Sequence, residues 1–131
     1  MKIPFAFCLL VGSALAQAAT SLVNVGGAQQ VFLPKSITIH VGDSVTFINK
    51  GGFHNAVADD GSFRCARGCD GDGKGGNGNA SSSNWVAKVT FTQAGTFGYF
   101  CETHGDATSG MRGSIAVQPV TPVTLQSFGV D

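Results

Sequence analysis

Short alternating runs, each closed by turn residues, leave this chain few ways to fold. Residues 36–41 put Ile37, Ile39 and Val41 on one face and stop at Gly42-Asp43. Residues 44–49 alternate through Val45 and Phe47 and stop at Gly51-Gly52. Residues 84–92 set Trp85, Ala87, Val89 and Phe91 against a mostly polar opposite face. Residues 96–101 alternate through Phe97, Tyr99 and Cys101, and residues 112–118 through Ile115 and Val117. Shorter runs lie at 22–25, 30–33 and 53–58. Successive side chains of a strand point to opposite faces, so a period of two marks a half-buried strand. Outside the N-terminus no stretch of ten residues holds a helical period. The expectation is all-β, a β-sandwich of about seven to eight strands.

At 131 residues the chain has room for one domain. Charged residues make up 12% of it, about half the share of an ordinary soluble domain, and the formal net charge is zero. That excludes charge-driven disorder and a basic nucleic-acid surface. The N-terminus reads as an export signal. Lys2 supplies the positive end, residues 3–16 are apolar, and Ala16-Gln17-Ala18 is a cleavage site. Residues 1–18 are therefore expected to be removed, and the apolar run is too short for a membrane span of about 20 residues. The expected domain is 19–118, followed by an extended tail at 119–131. Within it, residues 59–83 break the strand rhythm and read as a long Gly-rich loop of the functional or mobile kind.

Export places the remaining cysteines in an oxidising compartment. Loss of Cys8 with the signal leaves Cys65, Cys69 and Cys101. Cys65 and Cys69 flank a Gly-containing stretch that can fold back, and they are the natural disulfide, stapling the first part of the loop. Cys101 is left over. It opens the segment Cys101-Glu-Thr-His104-Gly-Asp-Ala-Thr-Ser-Gly-Met111, which brings a thiolate, an imidazole and a thioether into one Gly-flanked loop. Soft sulfur with imidazole suits copper, and a trigonal set of two His and one Cys with a weak axial Met is the blue-copper arrangement. The missing imidazole has two candidates. His40 falls on the outward face of its strand. His54 sits at a turn-to-strand junction, where a side chain can be aimed at the end of a sandwich.

At these residues the chain resembles the plastocyanin-like cupredoxins, in an exported bacterial form. The similarity rests on Phe32-x-Pro34-x-x-Ile37-x-Ile39-x-Val41-Gly42-Asp43-x-Val45-x-Phe47-x-Asn49. It continues through His54-Asn55, Gly95-Thr96-Phe97-x-Tyr99-x-Cys101-x-x-His104 and Met111-x-Gly113, covering about residues 22–118. The resemblance implies a Greek-key sandwich, one copper ion held by His54, Cys101, His104 and Met111, and one-electron carriage. It also implies that Asn55 braces the thiolate loop from behind. Two departures stand out. Six residues separate His104 from Met111 where four are usual, and Glu102 follows the ligand Cys where a small residue is often found. The long loop with its cysteine pair is a further addition.

Other readings of the same residues are weaker. Zinc also takes Cys and His, but one Cys, two His and a Met is an odd zinc set. Met111 read alone would serve as core. Gly71-x-Gly73-x-x-Gly76 matches a dinucleotide fingerprint only as a string, since no strand precedes it and no helix follows. No catalytic constellation appears, so an enzyme is not expected. The expected role is a periplasmic, monomeric electron carrier that docks redox proteins transiently near His104. Copper sequestration or delivery is the alternative.

Overall fold

A computed structural model describes residues 17–120 together with Lys2 and Pro4. Most of the expected export signal and the far part of the tail lie outside the described residues. Ten strands form in chain order: β1 Thr20–Gly26, β2 Phe32–Leu33, β3 Ser36–His40, β4 Ser44–Gly51, β5 Ala56–Ala58, β6 Arg64–Ala66, β7 Gly68–Cys69, β8 Val86–Thr90, β9 Gly95–Gly105 and β10 Gly110–Gln118. One sheet has the order β2-β1-β4-β8 and the other β3-β10-β9-β5-β6-β7. Among the described residues there is no helix. Two strand pairs, β1 with β4 and β3 with β10, run parallel. The chain therefore crosses between the sheets rather than meandering, and the all-β sandwich is as expected.

The alternation seen in the sequence is the alternation of burial. Val45, Phe47 and Asn49 of β4 face inward, as do Tyr99 and Cys101 of β9 and Ile115 and Val117 of β10. Aromatic edges hold the two sheets together. Phe32 and Phe47 meet the Tyr99 ring edge-on at centroid distances of 4.7 and 5.2 Å. Such pairs add about 0.5–1.5 kcal/mol beyond the area they bury. At the far end Asp43 ties the start of β1 to the turn after β3. Its carboxylate accepts from Ala19 N and His40 N, both at 2.9 Å.

Residues 59–83 are more regular than their composition suggests. β6 pairs antiparallel with β5 and extends the second sheet, and β7 folds back on β6. Cys65 and Cys69 are directly opposite each other in that hairpin and form the expected disulfide. Strands of three and two residues are too short to show a period of two, so composition alone read them as loop. The strand total rises to ten for the same reason.

Tyr99 is wholly buried, yet its hydroxyl has no hydrogen-bond partner among the described residues. Burial pushes its pKa up, so the group stays a neutral, desolvated O–H. A buried hydroxyl without a partner costs stability. Tyr99→Phe is expected to raise the unfolding free energy by about 1 kcal/mol, read from denaturant midpoints. A loss of stability would mean that the hydroxyl has a partner after all.

Candidate metal centre

His54, Cys101 and His104 converge at one end of the sandwich, with ligand-capable atoms all within 4.8 Å of one another. Cys101 Sγ lies 3.7 Å from His54 Nδ1 and 3.7 Å from His104 Nδ1, and the two Nδ1 atoms are 3.1 Å apart. Metal–donor bonds of about 2.0–2.3 Å in a trigonal plane put donors roughly 3–4 Å from each other. The three edges fit that triangle. The donors are one soft sulfur and two imidazole nitrogens, which is the chemistry of copper.

The His54 backbone is held at both its N–H and its carbonyl. Gly51 and Gly52, with φ of +146° and +91°, turn the chain out of β4. His54 then exchanges two backbone hydrogen bonds with Ser81, and its carbonyl accepts from Trp85 Nε1 at 3.1 Å. The Nε2 edge of the ring lies in a slot bounded by glycine backbone. A Cβ added at Gly26 or at Gly52 would come within 2.4 Å of His54 Nε2. Burial, and after it the nearby His104, push the His54 pKa down from the ordinary imidazole value, against a backbone contact with Gly51, a shift that favours the neutral imidazole that metal binding needs.

Cys101 is the one free cysteine among the described residues and is buried. It falls on the inward face of β9 two residues beyond Tyr99. His104, near the end of the same strand, is partly exposed. Met111 follows on β10 at the register shift between Gly110 and Arg112, and is 3% exposed. The two additional residues between His104 and Met111 are absorbed in a closed turn. Gly105 pairs with Gly110, and Asp106 N donates to Ser109 O at 2.9 Å. The Asp106 carboxylate accepts from Thr108 N, Thr108 Oγ1 and Ser109 N. Gly110, at φ +86°, leaves no room for a Cβ, which would sit 2.4 Å from the His104 carbonyl oxygen. Arg112 then spans from Asp59 to the Asp106 carbonyl, tying the turn to the end of β5.

Asn55 is fully buried and bonds to the residue that follows Cys101. Its Oδ1 accepts from Glu102 N at 2.9 Å, and its Nδ2 donates to Gly78 O at 2.9 Å and to Glu102 Oε2 at 3.1 Å. His40 ends β3 beside Asp43 and is not one of the three converging residues. Sequence reasoning missed Gly26, Gly52, Arg64 and Arg112. The glycines offer no functional group to notice, and the carboxylates that pair with the arginines, Glu102 for Arg64 and Asp59 for Arg112, lie far from them along the chain.

Residues 19–118 match the family model described as copper binding proteins, plastocyanin/azurin family. Among curated relatives, the plastocyanin of Scenedesmus fuscus is 42% identical over 89 residues, covering 67% of this chain and 87% of that one. The chloroplastic plastocyanin of Chlamydomonas reinhardtii is 38% identical over 108 residues, covering 79% and 71%. A solved Cu(I) structure of an amicyanin mutant superposes with a TM-score of 0.53 at 25% identity, covering 76% of this chain and 82% of that one. A mutant fern plastocyanin gives 0.57 at 21% identity, covering 75% and 100%, which speaks to the fold. The chain belongs to the plastocyanin/azurin family of copper-binding proteins, whose members carry electrons, and His54, Cys101 and His104 form its candidate copper site.

The depressed His54 pKa has a testable sign. Below the ordinary imidazole value of about 6.5 the unfolded chain takes up a proton that folded His54 resists. The metal-free protein therefore keeps its full stability above that value and loses it as the pH falls below, until the folded pKa is passed. Denaturant midpoints of the metal-free protein should be lower at pH 5.5 than at pH 7.5, and His54→Gln should narrow the gap. Equal midpoints in the wild type would contradict the assignment.

Proposed function

We propose that this chain is an exported, monomeric electron carrier whose His54, Cys101, His104 and Met111 would hold one copper ion in a type 1 centre. The observation that carries the reading is the triangle of two Nδ1 atoms and one Sγ at 3.1, 3.7 and 3.7 Å. Copper, when bound, supplies the one-electron Cu(I)/Cu(II) couple. The protein's part is to hold the donors still, so that little moves when the charge changes. His54 is fixed by its glycine slot and its backbone pairing with Ser81. Cys101 is fixed by β9 and by Asn55 behind it. Met111 stands where the last strand begins, and its thioether would tune the potential of a bound copper.

The two imidazoles divide the labour. His54 is 2% exposed, whereas the partly exposed His104 offers the route from site to surface. Phe53, 51% exposed and next to His54 in the chain, adds an apolar contact at this end. A small, largely uncharged contact of that kind suits partners that dock briefly and leave. We read residues 1–18 as the export signal, 19–118 as the copper domain and 119–131 as a tail. The periplasm is the compartment that such a leader suits. The ligand set carries electrons rather than turning over a substrate, so no enzymatic activity is assigned.

Titration of the metal-free protein with Cu(II) is expected to give an intense blue thiolate-to-copper band that saturates at one equivalent. Cys101→Ser should abolish the band. Met111→Leu should keep it and move the reduction potential upward, because the site loses a donor to the oxidised metal. The carrier should also exchange electrons with a small cytochrome faster than it yields copper to a chelator. Copper release outpacing electron exchange would favour delivery instead, and a band that survives in Cys101→Ser would remove the type 1 reading.

A further inference from the structure

The disulfide-stapled hairpin points its charged residues at the strand that carries the thiolate. Arg64, beside Cys65, makes a two-pronged pair with Glu102: Nε donates to Oε1 at 2.8 Å and Nη2 to Oε2 at 3.0 Å. Its remaining nitrogen, Nη1, donates to Asp70 Oδ2 at 2.9 Å and Asn79 Oδ1 at 3.0 Å. Asp70, beside Cys69, accepts from Gly78 N at 2.7 Å. The Gly78 carbonyl accepts from Asn55, and Asn55 holds both the backbone and the side chain of Glu102. The hydrogen bonds form a closed circuit running from the disulfide hairpin to Glu102, through Asn55 and back along 78–79. The residue on one side of Asn55 is His54, and the residue before Glu102 is Cys101.

We propose that Arg64 is a positioning residue for the copper centre, acting through Glu102 to hold the Cys101 strand and to neutralise a carboxylate one residue from the thiolate. Partly exposed ion pairs contribute little when isolated, but a forked Arg–carboxylate pair inside a network is the exception. Two effects separate. The fork is mechanical, limiting how far Cys101 can drift from the imidazoles. The positive charge is electrostatic, since an uncompensated carboxylate near the metal favours the more highly charged Cu(II). The inference rests on the copper reading above and extends it to a part of the chain that contributes no ligand.

The test uses the copper-loaded protein and four variants: Arg64→Gln, Arg64→Lys, Glu102→Gln and the double variant Arg64→Gln/Glu102→Gln. Reduction potential, the charge-transfer band and the rate of copper loss to a chelator are read for each. Arg64→Gln is expected to lower the potential and to speed copper loss about tenfold, the scale typical of groups that orient metal ligands. The double variant should recover the potential, because the stray charge is gone, but keep the fast copper loss, because the fork is gone. Arg64→Lys should hold the potential and recover only part of the retention. Glu102→Gln, which leaves an amide oxygen for Arg64 to bond, should raise the potential, and it serves as the electrostatic test if Arg64→Gln does not fold. Variants that lower the melting temperature while potential and copper loss stay at wild-type values would overturn the proposal and leave an ordinary stabilising pair. A wild-type protein without the blue band would instead overturn the copper reading itself, so the two failures are distinguishable.

Discussion

Two imidazole lone pairs and a sulfur a few ångströms apart do not stay together unaided. Each is a donor, and donors facing one another repel until a cation lies between them. The surrounding structure offsets that repulsion before any cation arrives. His54 is gripped by backbone and kept neutral, Cys101 is placed by the inward alternation of β9, and His104 follows three residues later where the strand leaves the core. Because the protein sets these positions, the metal has little freedom to choose its own geometry, which is what a centre alternating between two oxidation states needs.

The same requirement explains the longer loop. Two extra residues between His104 and Met111 would displace Met111 if they entered the strand. They are confined instead to a turn that is closed at its base by Gly105 and Gly110, capped by Asp106 and tied down by Arg112. The addition changes the surface; the register shifts once at Met111, and the ladder runs regularly from Arg112 onward. Residues 59–83 follow a similar logic. What composition marks as flexible is attached to the sheet through β6, closed by a disulfide and pinned through Arg64.

The sandwich was legible because its strands are long enough to alternate. Val45–Phe47 and Tyr99–Cys101 carry the period of two, and the turn glycines mark their ends. Cys101 and His104 were legible because they share one loop, and His54 because a lone histidine beside a Gly-Gly turn completes the set. The hairpin was not legible, since a three-residue strand has no pattern to detect. Nor was the pairing of Arg64 with Glu102, which depends on β5 and β6 being neighbours at the edge of the sheet. Glu102 did stand out in the sequence as an odd residue after the cysteine. Its partner became visible only once the topology had brought the two together.

The slot around His54 is made of missing atoms. Gly26 comes from the end of β1 and Gly52 from the turn after β4, and both are defined here by what does not fit. Replacement of either by alanine adds one carbon and would rank as mild on any scale of chemical similarity. At these two positions that carbon occupies the space of an imidazole. Part of the information for metal binding is thus stored at sites with no functional group to compare. A survey of variants that weighs only ligands and charged residues would pass over the substitutions that close the site.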